Sequence, residues 1–273
     1  MIRRDLVIDG RRIEAASAGD LSAKPVLVFL HEGLGCVALW RDVPERLAAM
    51  TGLPVFAYSR FGYGQSDPAP MPWPETYMHS EALTCLPRVL DAAGIARAIL
   101  IGHSDGGSIA TIHAGAANDP RVVAPRVVAS RVVASRVVAS RVLALVTIAA
   151  HFFVEDPNLA AIAAIRAEYE TGSLRPRLAR YHADPDNAFW GWHDAWQNPA
   201  FRGFDITALA NAIKIPWLAL QGTHDPYGTD AQLNVLDRSV RTLLIPNSRH
   251  APHLEARDET LAALAAFIRD IPS

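Results

Sequence analysis

The chain has 273 residues, half of them hydrophobic and a fifth charged, with a formal net charge of −2. That length suits one large core with an insertion rather than two catalytic domains, and the near-neutral balance leaves no basic surplus for nucleic acid. No apolar run reaches the roughly 20 residues that span a bilayer, and Met1-Ile-Arg-Arg-Asp5 leads into a strand pattern rather than an export signal, so no membrane partner and a cytoplasmic setting are expected.

Residues 6–9 and 12–17 flank Asp9-Gly10 and predict an antiparallel hairpin at a sheet edge. Apolar strands then alternate with amphipathic helices: 25–30 before 37–50, 54–58 before 77–93, and 97–101 before 108–117. Near-continuous apolar strands separated by helices predict an α/β fold with a mostly parallel sheet and helices on both faces. Residues 121–140 are a tandem pentapeptide, Arg-Val-Val-Ala-Pro followed by three copies of Arg-Val-Val-Ala-Ser. Each step of five turns about 140° round a helix and changes face on a strand, so no continuous apolar face results. It is read as an exposed insertion whose deletion leaves the chemistry intact; the alternatives are an oligomer contact or an extension of the preceding helix. After a strand over 141–149 comes an excursion without strand-like runs, whose segments 158–171, 174–181 and 187–197 predict a small helical cap. Its Trp190, Trp192 and Trp196 either pack cap against core or wall an apolar pocket. Strands over 216–221 and 242–246 and a helix over 258–270 follow. The expected organisation is core 1–150, cap 151–213 and core again 214–273.

The sequence Gly102-His103-Ser104-Asp105-Gly106-Gly107 lies between an apolar strand and a helix. Such a turn strains the backbone at the serine and exposes its hydroxyl, and it needs small residues two places to either side. A serine hydroxyl requires a base, and the base an orienting acid, on loops at the same end of the sheet. One late strand is followed by Gly222-Thr-His-Asp225, the next by Asn247-Ser-Arg-His250-Ala-Pro-His253-Leu-Glu255. The order Ser, Asp, His is the one this turn predicts. Cys36 and Cys85 have no paired metal-ligand spacing, so neither metal, cofactor nor disulfide is expected. Cys85 reads as a buried filler, and Cys36 as a loop residue near the site.

Over most of its length the chain resembles the α/β-hydrolase family, in its capped serine esterase, enol-lactonase and haloperoxidase-like branch. The turn Ser59-Arg60-Phe61-Gly62-Tyr63-Gly64-Gln65-Ser66 is similar to the family's R-G-x-G-x-S loop, and His250 with Glu255 resembles its H-x(4)-E ending. The resemblance implies Ser104 as nucleophile, His250 as general base and then acid, and Asp225 as the orienting carboxylate. His253 is the alternative to His250 but lacks the spacing to Glu255, and is read as structural. Asp230 is the alternative to Asp225 but reads as the cap of a helix. Oxyanion donors are expected from the Asp105 N–H and from the loop His31-Glu32-Gly33-Leu34-Gly35, through Gly33 or alternatively Leu34. Glu32 stands where the family usually has glycine. His103 is expected to point into packed surroundings.

Glu32 and Asp105 flank the expected oxyanion, where a negative charge would oppose catalysis. They are expected to turn away or to pair with Arg60 or Arg41; the alternative is contact with a polar substrate group. Pocket candidates are Glu32, Trp40, His151, Phe152, Phe153, Trp190 and Tyr227, an aromatic set suited to apolar esters. The expected function is a serine carboxylesterase acting on small aryl or short-acyl esters. An enol-lactone, C–C-bond or perhydrolytic reaction on the same triad is one alternative, and a non-catalytic ligand receptor another. A homo-oligomer is compatible with the sequence, whereas epoxide hydrolysis is disfavoured by serine at the position where aspartate would be usual.

Overall fold

The computed structural model describes residues 1–116 and 141–271; the pentapeptide insertion lies outside the described residues. Strand β3 (Val26–Leu30) is buried throughout. Val26, Val28 and Leu30 join one hydrophobic cluster, while Leu27 and Phe29 join another. That alternation is the period of two of a strand covered on both faces. The other strands are β1 (Ile2–Ile8), β2 (Arg11–Ala18), β4 (Val55–Tyr58), β5 (Ala98–His103), β6 (Val142–Ile148), β7 (Trp217–Gly222) and β8 (Arg241–Ile245). They form one sheet in the order β1-β2-β4-β3-β5-β6-β7-β8. Pairing is antiparallel from β1 to β2 and from β2 to β4, and parallel from there on. The expected hairpin turns at Asp9 and Gly10, whose φ angles of 51° and 78° suit the two central positions of a type I′ turn.

Two expected helices are interrupted. Instead of one helix over 37–50, a 3-10 turn (Val37–Trp40) ends at Arg41, with φ 53°, and α1 (Val43–Thr51) starts afresh with Pro44 in its first turn. The helix expected over 77–93 consists of α2 (Tyr77–Ser80), a π-helical turn (Glu81–Cys85) and α3 (Leu86–Ala92). Pro87 has no N–H and its ring crowds the carbonyl four residues back, which the wider turn before it accommodates. Helix α4 (Asp105–Ala116) begins directly after the serine turn, earlier than residue 108.

Between β6 and β7 lie α5 (Asp156–Glu170), α6 (Leu174–Leu178), α7 (Pro185–Gln197), a 3-10 turn (Pro199–Gly203) and α8 (Thr207–Ala212). The chain closes with α9 (Ala231–Asn234), α10 (Pro252–Glu255) and α11 (Arg257–Arg269). Asp230 makes no side-chain cap to α9; the Thr229 hydroxyl accepts from the Ala231 N–H instead, at 3.2 Å. Parallel strands bring the segments after β3, β5, β6, β7 and β8 to one end of the sheet, where sites of open α/β sheets form. At the opposite end α4 finishes at Ala116 and the chain re-enters at Arg141, whose carbonyl accepts from the Ala98 N–H at the start of β5. Among the described residues no helix is long and apolar enough to cross a membrane.

Candidate active site

Ser104 has φ 51°, a left-handed conformation rare outside glycine, and its N–H donates to the Ile148 carbonyl at 2.8 Å. The surrounding glycines are sterically required. A Cβ on Gly102 would lie 2.2 Å from the Gly106 carbonyl oxygen, and one on Gly106 would lie 2.0 Å from that of Leu30. The turn is therefore pressed against the end of β3, which leads into the Glu32 loop.

Asp225 and His250 come together as the sequence order requires. The His250 Nδ1 lies 2.9 and 2.8 Å from the two Asp225 carboxylate oxygens. The Asp225 side chain is fully buried and also accepts from Gln221 Nε2 at 2.7 Å and from the Tyr227 N–H at 2.8 Å. Burial would raise its pKa, but the contact with His250 and the Tyr227 N–H outweigh this and hold it below the ordinary carboxylate value. Glu255 fixes the loop that carries His250, accepting from the Ser248 hydroxyl at 3.2 Å and from the Arg249 N–H. Tyr227 packs on the His250 ring at 4.7 Å, and His151 stacks on it at 5.9 Å. The serine turn meets this loop through His103, whose Nε2 lies 2.8 Å from the His250 carbonyl. Among the described residues no hydrogen bond joins the Ser104 hydroxyl to the His250 ring, a bond that is commonly loose in unliganded sites.

The two acidic residues have separate partners. Asp105 is buried, accepts from the Tyr77 hydroxyl at 2.5 Å and lies 3.8 Å from Arg60. The Tyr77 hydroxyl in turn accepts from Trp196 Nε1 at 3.0 Å. Burial pushes the Asp105 carboxyl above its ordinary value, against the lowering effects of Arg60 and these donors. Glu32 faces His103, with Oε2 3.3 Å from Nδ1. Arg60 also donates to the carbonyls of His31 and Glu32, so one buried guanidinium holds the Glu32 loop and the turn after Ser104 together. Arg60 belonged to the sequence expectation for these acids; Tyr77 carried no motif, and only its place at the start of a helix was legible.

A model of the alpha/beta hydrolase family matches residues 27–264. The chain belongs to the alpha/beta hydrolase family. Solved structures agree in fold over nearly its whole length. The enol-lactonase from Burkholderia xenovorans is 18% identical with a TM-score of 0.69, covering 98% of this chain and 100% of its own. A thermophilic esterase from Thermogutta terrifontis is 16% identical with a TM-score of 0.70, covering 100% of both chains. A putative aryl esterase from Burkholderia cenocepacia is 17% identical with a TM-score of 0.68, covering 98% of both.

In this alpha/beta hydrolase the expected pocket residues divide. His151, Tyr227 and Glu32 lie around His250 and His103. Trp40 is a core side chain among the described residues: it is 2% exposed and packs edge-on against Phe29, with His253 and His103 beside it. Phe152 is likewise a core residue against Trp217, and Phe153 pairs through its backbone with Asp205. Trp190 packs with Tyr169 and Phe189 in a separate cluster of the helical excursion. The tryptophan near the Glu32 loop is Trp192, whose Nε1 stands 2.1 Å from where a Cβ on Gly33 would be. Helical phase could have separated them, since Ala188, Phe189, Trp192, Ala195 and Trp196 form the buried stripe of α7 and Trp190 falls outside it. Cys36 is buried, and burial pushes its thiol up to about 12, leaving it inert; Cys85, in the π-helical turn, packs against the core as a filler but is half-buried rather than buried.

Proposed function

We propose that the chain is a serine carboxylester hydrolase for small aryl or short-acyl esters, working without a cofactor. Ser104 attacks the ester carbonyl while His250 takes its proton, and Asp225 holds the imidazole and balances the charge it gains. The N–H groups of Asp105 and Gly33 receive the oxyanion, with Leu34 next in line for the second place. His250 then passes the proton to the departing alcohol or phenol, activates water and releases the acid. The observation that carries this reading is a left-handed serine between β5 and α4, at the same sheet end as a buried Asp–His pair. Residues 151–213 form the cap between core parts 1–150 and 214–273, and Trp192 with Trp196 brings it against the reacting end. These two tryptophans favour an apolar ester, and the fold neighbours include an esterase and a putative aryl esterase.

A lactone uses the same atoms, and the enol-lactonase among the fold neighbours favours that second reading. A panel of aryl esters, alkyl esters and lactones separates the two by kcat/KM. An organophosphonate probe followed by peptide mapping is expected to label Ser104. Ser104→Ala is expected to lower p-nitrophenyl ester turnover at least about a thousandfold with unchanged thermal stability. A folded protein that takes no label, or a variant that keeps its turnover, would assign the nucleophile elsewhere or leave a ligand receptor.

A further inference from the structure

We propose that His103 is a standing imidazolium which, paired with Glu32, positions the loop of the general base. The proposal rests on the serine-hydrolase reading for its catalytic meaning, but its geometry stands apart from it. The His103 Nε2 lies 2.8 Å from the His250 carbonyl oxygen, which can only accept, so Nε2 carries a hydrogen. The Nδ1 lies 3.3 Å from the Glu32 carboxylate, also an acceptor, so Nδ1 carries a second. An imidazole with two N–H groups is a cation. Burial of the ring disfavours that cation, but Glu32 and the His250 carbonyl outweigh it and raise its pKa above the ordinary histidine value. Glu32 is correspondingly held well below the carboxylate range by His103, against its own burial.

The groups around this ring leave the charge on His103. His253 packs at 4.6 Å and His250 at 5.1 Å, with Asp225 behind His250. Burial keeps His253 far below its ordinary value, and its Nδ1 has no partner among the described residues. His151 is pushed down to about 3 by burial, and its Nδ1 faces the Asn158 Nδ2, a donor, so it too is neutral. Among the described residues only His103 has an acceptor at each nitrogen.

The backbone is shaped for the carboxylate. A Cβ on Gly35 would stand 2.3 Å from Glu32 Oε2 and 2.8 Å from Oε1, so the glycine makes the room that Glu32 occupies. An acidic residue in the oxyanion loop is thereby turned onto a cation of the serine turn, away from the developing negative charge. The consequence is a tie across three strand ends: Glu32 after β3, His103 at the end of β5 and the His250 carbonyl after β8. Glu32 and His103 are positioning residues, because they act on the reacting atoms through His250.

The test is long-range proton–nitrogen NMR on the full chain labelled with nitrogen-15 histidine. One imidazole is expected to carry both protons at pH 7, and the His103→Gln variant to assign it by loss of the signal. Glu32→Gln should convert that ring to a single N–H form, and Glu32→Asp should restore the double one. In p-nitrophenyl ester turnover, Glu32→Gln is expected to lower kcat about ten- to a hundredfold with KM within about twofold, with recovery in Glu32→Asp. A wild-type His103 bearing one proton at pH 7, or a signal indifferent to Glu32→Gln, overturns the proposal. Failure of Ser104 to take the phosphonate label would overturn the hydrolase reading and leave the NMR result standing.

Discussion

Asp105 puts a carboxylate one residue beyond Ser104, and its tolerance depends on a short chain of donors. Trp196 Nε1 donates to the Tyr77 hydroxyl, which donates to Asp105 Oδ2, and Arg60 lies 3.8 Å from the same oxygen. Tyr77→Phe removes the middle link, leaving Asp105 short of a donor and the Trp196 N–H without an acceptor. Two buried groups left unpaired predict a loss of about 1–3 kcal/mol or somewhat more, read as a lower midpoint in urea with an unchanged slope. At this scale the sequence was most legible in the placing of candidate residues after strands: Ser104, Asp225 and His250 each follow one, and Asp225 meets His250. It was least legible where partners meet only through the fold. Nothing near Tyr77 signals Asp105, and nothing near His103 signals a carboxylate from the loop after β3 and a carbonyl from the loop after β8.

The elements owe their positions to close backbone approaches that a residue pattern reveals only in part. Helix α4 can leave the serine turn so tightly because Gly106 lies against the Leu30 and His31 carbonyls at the end of β3. Gly106→Ala drives its methyl into backbone rather than a flexible side chain and is expected to cost several kcal/mol, on the order of the worst core overpacking, seen as a fall in thermal midpoint or a loss of folded protein. Gly203→Ala is the control: it has open space around the new Cβ and should stay within about 0.5 kcal/mol of the parent. The apolar alternation of β3 and the Asp9-Gly10 turn were readable because each depends on neighbours in sequence. The break at Arg41 was not, since its positive φ is imposed on an ordinary residue by the way the loop folds over the core. Pro87 went unread in the helix expected over 77–93, where a π-helical turn precedes it.

Across the whole molecule the histidines set the response to acid. Burial holds His31, His79, His113, His151, His182 and His253 below the ordinary value of 6.5. The unfolded chain therefore takes up protons near that pH which the folded chain refuses, so stability falls as pH drops below 6.5 toward their folded values. His103 has the opposite sign: raised by its carboxylate, it stabilises fully below 6.5 and loses that contribution as pH rises through its folded value. Asp225, being depressed, adds stability above the ordinary carboxylate value and loses it only in stronger acid. The buried carboxyls of Asp105 and Glu81, raised by burial, act with the sign of His103; six groups against three predict a lower thermal midpoint at pH 5 than at pH 7.5, measurable by calorimetry, and an equal or higher midpoint at pH 5 would contradict it. The separation of the two sheet ends has a practical reach as well. The candidate site lies where the parallel strands finish, while Ala116 and Arg141 mark the chain's exit and return where the strands start. A fluorescent domain or affinity handle spliced between those two residues would ride on the far side from the candidate site, making this gap the natural port for a tethered or immobilised form of the hydrolase.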